Sequence, residues 1–319
     1  MAGPDDVVVD VQATAANFVD LLVIGGKYQF LPPLPFVPGK LPTGTVASVG
    51  ANVSDLKSGD RVLTLAEQGG YATKVSVPAK ECIGLPDKMT FVEAAAMALA
   101  YDTAWFALCE RARAKSGESL LVLGASGGVG LAAIQLGKAY GMRVLAGIAN
   151  PAKRDLVRDA GADAIIDLAA PELRDSLRRQ VHAETGGRGA DVVLDTLGDD
   201  FFDAAIRAVA WRGRLVVIGF AAGRIPTLKI NYVLLKNIEV SGLQVSDYRK
   251  RMPDLMRQCY SEIFKLYEAG KLSAPPTTTF GLDEAQAALI SLRDRQTLGR
   301  AILIPAKNGA NPVVYAIRE

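Results

Sequence analysis

Over the first ninety residues, short apolar runs alternate with turn residues. The runs VVVDVQA, GTVASVG, DRVLTLA and YATKVSV predict the strands of an antiparallel sheet or small barrel. Between the first two, ANFVDLLVIGGKYQFLPPLPFVPGK holds a short helix-like segment and then a long loop whose prolines forbid a central strand. Loops of this kind on a rigid scaffold often line sites. From about Thr90 the period changes: TFVEAAAMALAYDTAWFALCERAR is an Ala-rich helical stretch, and apolar runs then alternate with helical segments. The runs SLLVLGA, RVLAGIA, AIIDL, VVLDTL, RLVVIGF and IEVSGLQ predict a parallel sheet, the first five being continuous as strands covered on both faces require. VGLAAIQLGKAYG, AKRDLVRDAGA, ELRDSLRRQVHAE and FFDAAIRAVAW are the intervening helices. After Gln244, KRMPDLMRQCYSEIFKLYEAGKL predicts one amphipathic helix, and TTTFGLDEAQAALISLRDRQTLGRAILIP a strand, a helix and a strand that return to the first domain. The tail AKNGANPVVYAIRE shows no pattern. The expected fold class is α/β, a doubly wound parallel sheet over 98–262 joined to a mainly-β domain built from 1–97 and 263–319.

Composition narrows the partners. Half of the 319 residues are apolar, and 36 basic residues nearly balance 34 acidic ones for a net charge of +2. No run of like charge asks for nucleic acid or an acidic membrane surface. No stretch of eighteen apolar residues runs uninterrupted, and MAGPDDVVVD lacks the basic start and apolar run of a signal peptide, so a cytoplasmic address is expected. Cys82, Cys109 and Cys259 are far apart in sequence and read as reduced core thiols. The single histidine, His182, lies in a polar helical stretch, so no His-based metal site is expected.

The strongest chemical signal is LLVLGASGGVGLAAIQLGK, residues 120–138. An apolar strand runs into Gly124, Ala125, Ser126, Gly127, Gly128, Val129 and Gly130 and then into a helix. Glycines at this spacing permit a tight turn, close backbone approach to a pyrophosphate and close packing of helix on strand. The helix N-terminus adds N–H groups and a partial positive charge. Strand, turn, helix and second strand follow in the order that a Rossmann dinucleotide site needs. An NAD site places a carboxylate at the end of the second strand to bind the ribose diol. Here RVLAGIANPAKRD offers Ile148, then Asn150, Lys153 and Arg154, which favours NADPH, although the two cations also suit the start of a solvated helix.

With these elements in place, VDVQATAANFVD, GKYQFLPPLPFVPG, GDRV, GGYAT, AYDTAWFAL, GASGGVG and DTLG, in that order, resemble the zinc-independent quinone oxidoreductase branch of the medium-chain dehydrogenase/reductase superfamily. The resemblance spans about Val7 to Pro305. It implies a GroES-like catalytic first domain, a Rossmann second domain, an active site in the cleft between them, and a homodimer joined through the edge strand 238–244. Zinc-dependent relatives carry a Cys near the position of Asn17 and a Gly-His-Glu motif where this chain reads PGKLPTG, so no metal is implied. In similar enzymes Asn17, Asp20 and Tyr28 lie near nicotinamide or substrate. An Asn or Tyr donor aimed at the oxygen that gains charge lowers the barrier to hydride arrival. Asn17 and Asp20 serve equally as turn and helix caps, and Tyr28 as a loop aromatic. Thr103, Gly219 and Phe220 match positions that flank the nicotinamide ring. Asp195 and Gly198 end another strand, where α/β folds put ligands and where turn aspartates are also at home.

Ile24, Leu41 and Leu168 depart from the family pattern, replacing an arginine, an acidic residue and a phosphate-side tyrosine. The family's opening strands are also missing before Val7, so a shortened first domain is expected. The implied activity is NADPH-dependent hydride transfer to a quinone or α,β-unsaturated carbonyl compound. The alternatives are an enoyl-thioester reductase and a nucleotide-binding protein without turnover.

Overall fold

Burial alternates along DVVVDVQATA, and this makes β1 (Asp6–Ala15) the organising strand of the first sheet in the computed structural model, which describes residues 2–305. β1 pairs antiparallel with β2 (Thr43–Val49), β4 (Lys74–Pro78) and β13 (Arg300–Ile304). The sheet runs β12 (Thr277–Gly281), β13, β1, β2, β3 (Arg61–Thr64), β5 (Cys82–Gly84), with β4 on β1. Val7, Val9, Val46, Val62 and Val77 fill one core. A second core joins Ala16, Tyr71 and Leu303 to α10 (Ala285–Arg293). α1 (Phe18–Ile24) follows β1 directly, so the chain turns from strand to helix at Asn17.

The second sheet has six parallel strands in the order β11 (Glu239–Gly242), β10 (Val209–Val217), β9 (Ala190–Asp195), β6 (Ser119–Leu123), β7 (Arg143–Ile148), β8 (Ala164–Asp167). Strand order reverses at β6, and the carboxyl ends of β6 and β9 therefore form the switch point where doubly wound sheets bind ligands. The helices are α3 (Gly128–Ala139), α4 (Arg154–Asp159), α5 (Leu173–Glu184), α6 (Asp199–Ala208), α7 (Asn231–Lys236), α8 (Val245–Arg251) and α9 (Pro253–Glu268). Leu121, Leu145, Val193, Phe202 and Ile206 are among the buried side chains of this core. The fold class is the one expected from the sequence.

The chain divides into two units, one holding the residues up to Leu99 and those from Ser273 onward, the other Ala100–Leu272. The first boundary falls inside α2 (Phe91–Trp105), which continues as a π-helical stretch, Phe106–Arg111. That helical run is long and apolar enough to cross a membrane, but 78% of its apolar window is buried in the protein.

Several expectations are corrected. The second unit ends at Leu272 and not at 262, because Met256, Cys259, Tyr260 and Ile263 bury one face of α9. The single helix expected after Gln244 is two helices, since Pro253 starts α9 and cannot continue α8. α6 stops at Ala208, and the VAW tail of its sequence run enters β10. The strand expected from Tyr71 begins at Lys74, because Gly70 and Tyr71 instead give their N–H groups to Gly39 O and Pro38 O. The patternless tail 306–319 lies outside the described residues.

Candidate functional site

In the second unit, three glycines of the turn after β6 do three different jobs. Gly124 has φ +71, a left-handed conformation, and a Cβ there would stand 2.6 Å from Thr196 Oγ1. Gly127 is the extended N-cap of α3 and is exposed, with no side chain capping the helix. The first N–H groups of α3 therefore have neither an intrahelical acceptor nor a side-chain cap. At Gly130 a Cβ would lie 2.4 Å from Gly124 O and 2.6 Å from Ala125 C, so the first turn of α3 packs backbone against backbone. Ala125 is buried beneath this turn, while Ser126, Gly128 and Val129 are half-buried along it. A bare, positively polarised helix end at a switch point fits a pyrophosphate.

At the end of β7, Asn150 Oδ1 accepts from Ala152 N at 3.0 Å and caps the turn Pro151–Lys153. Lys153 is half-buried there. A cavity of about 110 Å³ opens beside it, lined by Ile148, Pro151, Arg154, Ile165, Asp167 and Ala169. Arg154 is thus a cation that lines this cavity just beyond the end of β7. Asp167 Oδ1 is occupied by Ala169 N at 2.9 Å, so the carboxylate lining the same cavity is already hydrogen-bonded.

Gly219 follows β10, and Ile218 N and Gly219 N both bond Asp195 O. Asp195 itself is a loop builder: its Oδ1 accepts from Leu197 N and Gly198 N, each at 2.9 Å, and burial raises its pKa. Among the described residues its Oδ2 is buried and unpaired. Phe220 packs on Gly198, where a Cβ would meet the ring at 2.8 Å. Thr103 is buried on α2 beside Asp102, whose carboxylate receives Arg249 Nη2 at 2.7 Å and Tyr260 OH at 3.1 Å.

In the first unit the structure gathers Asn17 and Asp20 and adds residues that the sequence did not single out. Asp20 Oδ2 accepts from Asn17 N at 2.8 Å and from Tyr71 OH at 2.9 Å. Arg300 Nη2 donates to Asn17 Oδ1 at 2.6 Å, and Asn17 Nδ2 donates to Ala15 O at 2.9 Å. Burial raises the Asp20 pKa to about 6, against the pull of the Asn17 and Tyr71 hydrogen bonds and of Lys40 and Arg300. The same burial, with Asp20 beside it, holds the Tyr71 phenol well above its usual range. Tyr28 stands apart on the following loop, half-buried, edge-on to Phe30 and stacked near the Lys40 ammonium.

Tyr71, Lys40 and Arg300 were not legible as site residues. Arg300 is 283 positions from Asn17 and meets it only because β13 pairs with β1, Ala15 opposite Ile302. Tyr71 had one local signal, the glycines before it. Gly39 has φ +95, and a Cβ there would overlap the Tyr71 ring at 2.3 Å. Among the described residues, no three His, Cys, Asp or Glu side chains gather as a metal-ligand set.

Residues 3–87 match the family described as alcohol dehydrogenase GroES-like domain, and residues 128–261 the one described as zinc-binding dehydrogenase. The quinone oxidoreductase-like protein 2 homolog of Nematostella vectensis is 34% identical over 94% of this chain and 82% of that protein. The crystal structure of Escherichia coli quinone oxidoreductase complexed with NADPH superposes with a TM-score of 0.86 at 27% identity, covering 95% of this chain and 93% of that one. A mycocerosic acid synthase-like polyketide synthase of Mycobacterium tuberculosis is 33% identical over 98% of this chain, which spans 15% of that much longer protein.

Proposed function

We propose that this chain, which belongs to the quinone oxidoreductase-like family of the medium-chain dehydrogenase/reductase superfamily, is a zinc-free NADPH-dependent reductase of quinones or α,β-unsaturated carbonyl compounds. The observation that carries the reading is the glycine turn itself: left-handed Gly124 makes the turn, Gly130 lets α3 pack backbone against it, and Gly127 leaves the start of α3 exposed and uncapped. The α3 N–H groups would hold the pyrophosphate, and Arg154 with Lys153 the ribose phosphate. Thr103, Gly219 and Phe220 would flank the nicotinamide. NADPH supplies the hydride when bound.

Hydride arrival at a conjugated carbonyl puts charge on its oxygen, and a fixed donor there lowers the barrier. Tyr28 OH is the principal donor. Asn17 supports it: its Oδ1 is pinned by Arg300, and of its two Nδ2 hydrogens one goes to Ala15 O. Asp20, with both bonds on one oxygen, orders this corner of the unit and does not act on substrate. The donor chemistry fits no zinc: Cys82, Cys109 and Cys259 lie on β5, the π-helical stretch and α9, and His182 is alone on α5. Three unbonded cysteines suit a cytoplasmic protein. A homodimer through 238–244 is part of the same reading, supported by β11 at the sheet edge.

The test is loss of NADPH absorbance with 1,4-naphthoquinone, an enone and a crotonyl thioester, beside calorimetric titration of NADPH and NADH. Turnover of the quinone or the enone is expected, with NADPH bound more tightly than NADH. Turnover of the thioester alone would make the chain an enoyl-thioester reductase, the reading that the polyketide synthase likeness favours. Binding without turnover would make it a nucleotide-binding protein, and no binding of either coenzyme overturns the proposal.

A further inference from the structure

Within the first unit, the PGKLPTG segment buries an ammonium group. Lys40 stands between Gly39 and Leu41, both left-handed at φ +95 and +53, and its side chain is only 6% exposed. The segment is clamped in place, Leu41 N to Ala66 O at 2.8 Å and Gly70 N to Gly39 O at 2.9 Å. A lysine this buried needs partners, because an unpaired ammonium away from water is costly. Lys40 has them: Nζ reaches Glu67 Oε2 at 2.5 Å and Glu67 O at 3.1 Å, and lies 5.6 Å from the centroid of the Tyr28 ring. Its charge is also felt at Asp20.

Neutralising Glu67 would not by itself require burial. Lys74 and Asp10 pair on the surface of the same unit with both side chains exposed. What the buried arrangement adds is an aromatic ring over the cation, an attraction that strengthens as water is excluded. That ring belongs to the loop from Gly25 to Lys40, which contains neither helix nor strand to fix a side chain.

We infer that Lys40 is a positioning residue for Tyr28: anchored by Glu67, its ammonium holds the phenol ring and so aims the hydroxyl at the substrate oxygen. The inference rests on the reading of Tyr28 as the donor to substrate. Misplacing such a group by about 1 Å costs on the order of a hundredfold in rate.

The experiment compares Lys40→Met, which keeps length and loses charge, with Lys40→Arg, which keeps charge. Both are made in wild-type and Tyr28→Phe backgrounds. NADPH and 1,4-naphthoquinone supply kcat and KM, and hydrogen–deuterium exchange follows residues 25–38. Lys40→Met should lower kcat ten- to a hundredfold with KM changed less than about threefold, and should speed exchange over 25–38. Lys40→Arg should restore both. Once Tyr28 is Phe, Lys40→Met should cost nothing further, and NADPH binding should be equal throughout. Glu67→Gln, which loosens the anchor without touching the ring, should fall between, and decides the matter should Lys40→Met not fold. Unchanged kcat, losses that multiply with Tyr28→Phe, or unchanged exchange would overturn the inference. Absence of any turnover by the wild-type protein would instead overturn the proposed function and this inference together.

Discussion

Asp20 is 2% exposed and accepts hydrogen bonds from Asn17 N and Tyr71 OH, yet burial still lifts its pKa from 3.8 to about 6. A carboxyl with a raised pKa in the fold binds its proton more tightly there than in the unfolded chain. Its contribution to stability is therefore fully present below about pH 3.8 and is lost as the pH rises through about 6. A rise from 3.8 to about 6 corresponds to roughly 3 kcal/mol. Asp20→Asn keeps an acceptor and has no proton to lose. Urea denaturation at pH 4 and pH 7.5 should show the variant gaining on wild type by roughly 2–3 kcal/mol across that interval, and a flat difference would refute the assignment. The glycine turn is read by two further substitutions. Gly130→Ala drives a methyl to 2.4 Å from Gly124 O, with backbone on both sides and little room to yield. It should cost about 1–3 kcal/mol in stability and abolish measurable NADPH binding. At Gly127 the nearest atom to a new Cβ is Gly124 O at 3.4 Å and the backbone is extended. Gly127→Ala should therefore leave the melting temperature nearly unchanged while still weakening NADPH, which separates ligand space from packing.

Three helices of the second unit converge on one buried charge. Asp102 of α2 receives Arg249 of α8 and Tyr260 of α9, with all three side chains buried. Removing one partner strands the other charge, so Asp102→Ala or Arg249→Ala should each destabilise by about 3–5 kcal/mol, whereas Asp102→Leu with Arg249→Met should cost far less than their sum. Denaturant titration of the four proteins checks this. Asp102 precedes Thr103, so the same pair fixes the helix turn that carries a predicted nicotinamide contact. Elements of this kind were legible wherever the chain repeats a period long enough to name, as in SLLVLGA, VGLAAIQLGKAYG and RVLAGIA, which became β6, α3 and β7. They were not legible where context overrides a short run. β5 is only Cys82–Gly84, held by pairing to β3, and α7 is six residues with no buried face of its own. AVAW looks like the end of a helix, yet Val209 pairs with Ala190 in the sheet. The same limit separates two kinds of candidate residue. The glycine turn is local and could be read directly. Arg249 and Arg300 reach their partners only through helix packing and strand pairing across the fold, which no local spacing encodes.

At the scale of the molecule, the parallel sheet ends at β11, whose outer edge is unpaired among the described residues. An open edge of backbone donors and acceptors invites a further strand. The chain just before it is unusually apolar for a surface: Ile225, Ile230, Leu234 and Leu235 are each at least 70% exposed. An exposed apolar patch beside an open edge marks an association surface, and a two-fold axis lets the same patch serve both copies. These two features support the homodimer through 238–244 that the family resemblance implies and that we propose. Sedimentation equilibrium at micromolar concentration should return twice 33.8 kDa for the wild-type chain. Leu234→Glu with Leu235→Glu places two carboxylates on the patch without touching the strand and should yield monomer that still binds NADPH, because the glycine turn lies on β6 and α3. Leu243 N bonds Val217 O, so the alternation along β11 turns the Gly242 N–H to the open edge; Gly242→Pro removes it and should weaken the dimer further only if β11 pairs across the interface. A monomeric wild-type protein would remove the assembly from the proposal and leave the nucleotide site untouched. A dimer that survives both substitutions would mean that the copies meet elsewhere.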